Sequence, residues 1–306
     1  MGMVVIGAVF VDVKGYPQTQ FIPGGRNVGS IERVHGGVGR NVAEDIANIE
    51  LRPTFVSLVD RDASGKEVID KLKNHKVDTR YIRQTEEGMG TWLAVFNNEG
   101  DVVASVSKRP DLRPILNILD EQGDEIFKDA DSIIVELDID KEIIKKVFYY
   151  ADKYNKEVYA LVSNMSIAIK RRDFLRRTSC FVCNQQEAGM LFSEDYGNCN
   201  VEEMSRILKQ KIQSAKIRRM VVTIGGQGAV YAELDGEYGV CSSIPVEVVD
   251  TTGAGDSFFA GTAIGLTYGK TLKESCLIGA KLAASVICTS ESVCPRFLPS
   301  EIGIEC

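Results

Sequence analysis

Apolar and polar positions follow two alternating patterns along most of the 306-residue chain. Short apolar runs rich in β-branched residues indicate buried strands, and longer stretches with a 3.6-residue periodicity indicate helices. The predicted strands are Met3–Phe10, Thr54–Val59, Ser132–Leu137, Glu157–Val162, Cys180–Cys183 and Met220–Ile224. The predicted helices are Asn41–Ile49, Gly65–Asn74, Lys141–Tyr154, Gln185–Phe192, Glu202–Ile212, Gly253–Lys270 and Leu272–Thr289. The alternation predicts βαβ units and an α/β fold, in which helices flank both faces of a mostly parallel sheet.

Two insertions, at about residues 13–34 and 90–108, interrupt this alternation. The first is rich in glycine and polar residues and has extended character. The second holds two strand-like runs on either side of Asn97-Asn98-Glu99-Gly100-Asp101, which is a strong hairpin signal. We expect the two insertions to form a small β-sheet lid over one edge of the main domain. An ordinary edge hairpin is the alternative.

Composition narrows the classes of function. A chain of this length with 44% hydrophobic residues can bury a large core, and we expect one domain over residues 1–306. The net charge of −7 gives no sign of a basic face, so we expect no nucleic-acid partner. No stretch approaches the roughly 18 apolar residues of a membrane span, and the N-terminus lacks a basic leader and cleavage site. We therefore expect a cytoplasmic protein without a membrane partner.

Histidine and cysteine usage argues against several kinds of site. Only two histidines occur, His35 and His75, so histidine metal sites and Ser-His-Asp chemistry are nearly excluded. Cys180 and Cys183 have C-x-x-C spacing, but on a strand their side chains would point to opposite faces. We expect reduced, mostly buried cysteines and no zinc there.

The sharpest chemical signal is the run Val249-Asp250-Thr251-Thr252-Gly253-Ala254-Gly255-Asp256-Ser257. An extended segment enters a glycine-rich turn, which opens a helix near Asp256. The first N–H groups of a helix lack internal partners and lie at its positive end, so Gly253, Ala254 and Gly255 predict an anion hole for a phosphoryl group. Asp256 beside it is the candidate base for an attacking hydroxyl. We expect the helix N-terminus to lower the pKa of Asp256, and a simple helix cap is the alternative interpretation.

Three further clusters are candidate ligand-binding segments, and each also has a simpler structural explanation. Gly36-Gly37-Val38-Gly39-Arg40-Asn41 precedes a helix and offers backbone amides and Asn41 to a polyhydroxyl ligand, or is a simple turn. Asn184-Gln185-Gln186-Glu187 begins a helix, where Glu187 acts on Mg²⁺ through water or only favours the helix start. Thr223-Ile224-Gly225-Gly226-Gln227-Gly228 passes over ATP or forms a hairpin turn. No P-loop motif is present.

In this order, the clusters resemble the ribokinase-like carbohydrate kinase family, also called PfkB. The resemblance spans most of the chain, and its most specific part is the segment 250–256. It implies a doubly wound α/β domain with a β-sheet lid, often shared in a homodimer. It also implies ATP and Mg²⁺ as cofactors, with K⁺ as a further candidate.

The resemblance also assigns roles to individual residues. It implies that Asp256 is the catalytic base and that Gly253, Ala254 and Gly255 form the anion hole. It further implies three binding sets. These are Asp12, Gly36, Gly37, Asn41 and Asp138 for substrate, Asn184, Glu187, Thr223, Gly225 and Gly228 for the nucleotide and Mg²⁺, and Asp250 with the Thr252 carbonyl for a monovalent cation.

Within the family, residues 36–44 look most like those of pseudouridine kinases, but two positions depart from that pattern. Ser107-Lys108-Arg109 stands where an acidic residue is expected, and Val162-Ser163 replaces an Asp-Pro pair. The leading hypothesis is an ATP-dependent kinase of a ribofuranosyl compound, such as pseudouridine at its 5′-hydroxyl. A kinase of free ribose or a ketohexose is the alternative, and a non-catalytic sugar- or nucleotide-binding protein is the alternative of another class.

Overall fold

A computed structural model describes residues 2–305 of the chain. Thirteen strands occur in these residues. They are β1 (Val4–Ile6), β2 (Phe10–Pro17), β3 (Gly29–Gly36), β4 (Thr54–Asp60), β5 (Ile82–Thr85), β6 (Gly90–Phe96), β7 (Val102–Lys108), β8 (Ile133–Glu136), β9 (Val158–Leu161), β10 (Cys180–Asn184), β11 (Arg219–Thr223), β12 (Ala229–Glu233) and β13 (Tyr238–Cys241).

Ten α-helices connect and cover these strands within the same residues. They are α1 (Val38–Asn48), α2 (Ala63–Asn74), α3 (Ile115–Lys128), α4 (Lys141–Tyr154), α5 (Met165–Ala168), α6 (Arg172–Leu175), α7 (Gln185–Phe192), α8 (Val201–Ala215), α9 (Ala254–Thr267) and α10 (Leu272–Ile287). None of the described helices is long and apolar enough to cross a membrane.

The main sheet has nine strands in the order β13-β12-β11-β10-β9-β8-β1-β4-β5. The strands from β11 to β5 are parallel, while β12 and β13 add an antiparallel edge. From β1 the chain builds outward to β4 and β5, then returns to β8 on the other side of β1. The carboxyl ends of β1 and β8 thus flank the point where the winding reverses, which is where open α/β sheets bind ligands.

Two hydrophobic cores lie on opposite faces of this sheet. Helices α1, α2, α9 and α10 pack on one face, and α3, α4, α7 and α8 pack on the other. Cys180 belongs to the first core and Cys183 to the second, so their side chains point to opposite faces of the sheet, as the strand period predicts. Both are free thiols. Helices α9 and α10 approach closely because small residues face each other: a Cβ on Gly261 would lie 2.8 Å from the Gly279 Cα.

A separate four-stranded sheet has the order β3-β2-β6-β7. Side chains alternate between its faces. On the inner face, Lys14 and Ala94 are buried opposite each other in register. On the outer face Ile31, Leu93 and Val106 are exposed. The two insertions therefore form one small sheet with a covered face and an apolar exposed face.

The sequence pattern predicted most elements, and α4 and α7 have the predicted bounds. The run Met3–Phe10 is not one strand, because β1 ends at Ile6 and the chain crosses to the small sheet at Phe10. Helix α3 was not predicted. Its amphipathic pattern is interrupted by Gly123, which packs against the Tyr150 ring. The hairpin alternative for residues 223–228 anticipated a strand where β12 lies, whereas β13 was not predicted.

A buried carboxyl group ties the helices of one core together. Asp45 of α1 is fully buried. Its Oδ2 accepts a hydrogen bond of 2.8 Å from the Ser257 Oγ of α9, and its Oδ1 accepts one of 2.7 Å from the Cys294 amide. Burial raises the pKa of Asp45 to about 7, although both hydrogen bonds act to lower it.

We predict that Asp45 makes the folding stability depend on pH. Because its folded-state pKa is raised, its contribution is full below about pH 4 and is lost as the pH rises through about 7. D45N should remove this dependence, which is on the order of a few kcal/mol. Urea unfolding of the wild type and D45N between pH 4.5 and 7.5 measures it.

The matched control is D129N, which removes an exposed carboxylate and should leave the pH slope unchanged. Equal slopes for the wild type and D45N would contradict the prediction.

Candidate active site

The turn before α9 is held in one conformation by its glycine. Gly253 is the N-cap of α9 and has φ 83°, in the left-handed region. A Cβ at this position would lie 1.9 Å from the Ser292 carbonyl oxygen. Both the torsion angle and the contact therefore require glycine. The helix begins at Ala254, within one residue of the start of the predicted segment 253–270, so Asp256 lies in its first turn.

Backbone amides at this turn are available to a ligand. Within residues 2–305, the backbone N–H groups of Gly253, Gly255 and Asp256 donate no hydrogen bond. The Ala254 amide differs from the other two of the predicted anion hole, because it donates to the Thr251 carbonyl at 3.3 Å. The space around Gly255 is open. Unpaired amides at the positive end of a 14-residue helix form a suitable anion site.

Asp256 lies beside these amides and contacts α1. Its Oδ2 accepts a 2.7 Å hydrogen bond from the Asn41 Nδ2. Burial raises the pKa of Asp256 to about 6, against the opposing effects of Asn41 and the Arg40 guanidinium. The expectation that the helix N-terminus would lower this pKa is therefore wrong, since desolvation and the nearby carboxylates of Glu187 and Asp12 outweigh it. A carboxylate with this pKa is a stronger base than an exposed aspartate.

The glycine-rich segment 36–41 positions the opposite wall. Gly37 is the N-cap of α1, which places Asn41 on the turn that faces α9. Arg40 is almost completely buried. It donates to Glu44 Oε2 at 2.5 Å, to the His35 carbonyl and to Ser292 Oγ at 3.3 Å. Sequence reasoning missed the roles of Arg40 and Ser292, since neither residue type signals a contact with such distant segments.

Asp12 lies on the inner face of the small sheet, where the Gly36 backbone packs against its carboxylate. The carboxylate makes no hydrogen bond to any of the described residues. Burial raises the pKa of Asp12, and the charges of Lys14 and Arg40 oppose that shift. Lys14 is itself 7% exposed and makes no hydrogen bond within residues 2–305. Asp12 and Lys14 thus offer an acceptor and a donor to a polar ligand beneath this sheet.

Two carboxyl groups lie at the carboxyl end of β8, where the winding reverses: Glu136 is its last residue and Asp138 follows it. Asp138, predicted as a substrate contact, is buried and has protein partners on both oxygens, Arg109 and Ser163. Glu136 was not predicted. It is buried behind the site, and its Oε1 accepts hydrogen bonds from the amides of Ala8 at 2.9 Å and Gly39 at 2.7 Å. Burial raises the pKa of Glu136. Its role is to hold β1 against the start of α1.

A cavity of about 490 Å³ adjoins the anion site. It brings together all four predicted nucleotide-binding residues, Asn184, Thr223, Gly225 and Gly228, together with Ala254 and Gly255. The rest of its wall is largely apolar and comes from residues 244–248 and from α10. These apolar residues are Ile244, Pro245, Val246, Val248, Ala280, Ala283, Ala284 and Ile287. An apolar cleft that opens on free amides fits a nucleotide, with the base in the cleft and the phosphates at the helix end.

Asn184 and Glu187 form a capping box at the start of α7. The Glu187 amide donates to Asn184 Oδ1 and the Asn184 amide donates to Glu187 Oε2, each at 2.8 Å. Glu187 therefore stabilises the start of α7, which is the simpler of the two roles predicted for it. Its Oε1 has no hydrogen bond within residues 2–305, which leaves one oxygen for water on Mg²⁺. Burial raises the pKa of Glu187.

The predicted cation loop is also a local hydrogen-bonded turn, in which Asp250 Oδ1 accepts a 2.8 Å hydrogen bond from the Thr252 amide. Within residues 2–305, no group of three or more His, Cys, Asp or Glu side chains is placed to hold a metal ion.

Aromatic rings line the inner face of the small sheet. Trp92 pairs in register with Asp12. Phe96 stacks on Tyr16 with ring centroids 4.8 Å apart, and its contact with Trp92 is edge-on at 6.4 Å. Trp92, Phe96 and Phe21 are the candidates in the lid for stacking on a flat ligand. Trp92 is the best placed of them, because it shares the row of Asp12.

Known proteins with related sequences or structures identify the family to which this chain belongs. The chain matches the model of the pfkB family carbohydrate kinases over residues 2–296. It is 33% identical to a guanosine-inosine kinase of Exiguobacterium acetylicum, covering 94% of this chain and 95% of that protein. It is 25% identical to the pseudouridine kinase of Escherichia coli K12, covering 89% and 86%.

A solved structure of Arabidopsis thaliana ribokinase complexed with ribose and ATP has the same fold. It is 21% identical, the TM-score is 0.83, and the match covers 98% of this chain and 97% of that one. The family match covers nearly the whole chain, including the amides at the start of α9, Asp256 and the residues that line the cleft. The chain belongs to the pfkB family of carbohydrate kinases and is an ATP-dependent phosphotransferase.

Proposed function

We propose that this kinase transfers the γ-phosphate of ATP to the 5′-hydroxyl of a ribonucleoside, with guanosine or inosine preferred to pseudouridine. The observation that carries the reaction is the position of Asp256, which contacts Asn41 and adjoins unpaired amides at the start of α9. The nucleoside preference is supported by the 33% identity to a guanosine-inosine kinase, against 25% to a pseudouridine kinase. It also agrees with the departures from the pseudouridine kinase pattern at Arg109 and Ser163.

In the proposed reaction Asp256 accepts the proton of the 5′-hydroxyl as the new O–P bond forms. The bond between the γ-phosphorus and the bridging oxygen breaks, and ADP leaves with that oxygen. The amides of Gly253, Gly255 and Asp256 stabilise the charge on the phosphoryl oxygens as it moves. Asp12, Gly36, Gly37 and Asn41 hold the ribose hydroxyls.

The cofactor sites follow from the same cleft. ATP would lie along Asn184, Thr223, Gly225 and Gly228, and the unpaired Oε1 of Glu187 would accept a hydrogen bond from water on Mg²⁺. A monovalent cation such as K⁺ would be held by Asp250 and the Thr252 carbonyl, where it would supply positive charge.

A substrate panel tests the proposed function. ADP release is measured with guanosine, inosine, adenosine, pseudouridine, ribose and fructose, with Mg²⁺ and with or without K⁺. We expect guanosine and inosine to have the highest kcat/KM, and K⁺ to raise it. Turnover of ribose or fructose with none of the nucleosides would contradict the nucleoside assignment.

The base is tested by D256N and by the pH dependence of the wild type. Because Asp256 must be unprotonated, kcat/KM should rise with pH through about 6 and then level off. D256N should lose about 10²- to 10⁴-fold in kcat while still binding the nucleoside in calorimetry. D235N, at an exposed turn, is the control. Unchanged ATP consumption by D256N would refute the role assigned to Asp256.

We also propose that the small sheet is a lid shared by two subunits of a homodimer. Its outer face exposes Ile31 (75%), Val106 (68%) and Leu93 (45%), an apolar surface that a second copy would cover. V106K should convert the dimer to a monomer in light scattering. L277K, at an exposed leucine on α10, should not. A monomeric wild type at micromolar concentration would contradict the proposal.

A further inference from the structure

Three residues that lie far apart in sequence meet at the edge of the proposed substrate site. Arg109 follows β7, Asp138 follows β8 and Ser163 follows β9. The Arg109 Nη2 donates to the Asp138 Oδ2 at 2.9 Å and to its carbonyl at 3.0 Å. The Ser163 Oγ donates to Asp138 Oδ2 at 2.7 Å, and the Ser163 amide donates to Oδ1 at 3.0 Å. Arg109 and Ser163 lie at the two positions that depart from the pseudouridine kinase pattern.

The partners of Asp138 make it an anchor, since its side chain has no exposed surface and both carboxylate oxygens are occupied. Arg109 differs, because its side chain is 36% exposed. Only its Nη2 has hydrogen-bond acceptors within residues 2–305, so the N–H groups of Nε and Nη1 are free. The ion pair therefore fixes a guanidinium that still has donors for a ligand.

The end of β7 places these donors where the lid meets the main sheet. Strand β7 ends at Lys108, and the bonds of Arg109 to Asp138 fix its guanidinium beside the carboxyl end of β8. The free donors therefore lie at the edge of the main sheet where open α/β sheets bind ligands.

The surroundings of Arg109 favour an electron-rich partner. Arg171 donates to the Leu137 carbonyl at 3.0 Å and lies within electrostatic range of both Asp138 and Arg109. The positive charge of Arg171 therefore adds to that of Arg109, while Asp138, Asp140 and Asp173 act in the opposite sense on Arg171. A base that presents hydrogen-bond acceptors is favoured here, and a base that presents an amino group is disfavoured.

We propose that Arg109, held by Asp138 and Ser163, selects 6-oxopurine nucleosides by donating from one of its free N–H groups to O6 of the base. Guanine and hypoxanthine present this acceptor, whereas adenine presents an amino donor at the same position. A pyrimidine presents a carbonyl beside an N–H. Asp138 acts through Arg109 as a positioning residue. The inference rests on the proposed nucleoside kinase activity and names the residue that sets its base specificity.

The test compares R109M with the wild type on guanosine, inosine, adenosine and 7-deazaguanosine. Loss of a charged hydrogen bond predicts that kcat/KM for guanosine and inosine falls about 10- to 100-fold in R109M, mainly through KM. Adenosine should change little, so the preference for guanosine should nearly disappear. The neighbouring K108M is the control. Lys108 is exposed and pairs with Glu87, and this variant should keep the wild-type preference.

The analogue 7-deazaguanosine lacks N7 but keeps O6. The wild type should therefore use it about as well as guanosine, and R109M should lower kcat/KM for both. If R109M lowers kcat/KM equally for all nucleosides, Arg109 is only a latch between lid and domain, and the inference is overturned. Failure of the wild type on every nucleoside would instead overturn the proposed function, and the inference with it.

Discussion

The contact between the starts of α1 and α9 is the constraint on which the site depends. Gly253 lies against the Ser292 carbonyl so closely that no side chain fits, and Arg40 reaches the Ser292 hydroxyl from the other side. These contacts bring Asn41 within 2.7 Å of Asp256. The free amides and the base are therefore positioned by contacts between segments about 40, 250 and 290 residues along the chain, and no single loop defines the geometry.

The same constraint concentrates carboxyl groups in one cleft. Asp12, Glu136, Glu187 and Asp256 each have a raised pKa, with burial as the largest cause. Arg40 offsets part of this cost, since its charge lowers the pKa of both Asp12 and Asp256. Lys14 also lowers the pKa of Asp12. Such strained electrostatics destabilise a fold, and they are typical of sites where the charge of a ligand completes the balance.

The sequence predicted the parts of this arrangement that are local. Strand and helix periods gave the α/β fold, and the Gly253–Asp256 segment indicated an anion site because glycine and a helix start are local signals. The pKa of Asp256 was predicted in the wrong direction, since the helix end is visible in sequence but the desolvation and the approach of Glu187 and Asp12 are not. Glu136 and Ser292 were missed for the same reason: each acts only across the fold.

The proposed substrate contacts lie on a different part of the molecule from the proposed phosphate site. The anion site and nucleotide cleft come from α9, α10 and the strands beyond β10, whereas Asp12, Trp92 and Arg109 come from the lid insertions or their ends. Arg109 and Ser163 both bond to Asp138, and none of these three residues forms a hydrogen bond with Asn41 or Asp256. On the proposed function, a change at these positions can therefore alter the choice of substrate while the Asn41–Asp256 contact and the free amides of α9 stay in place.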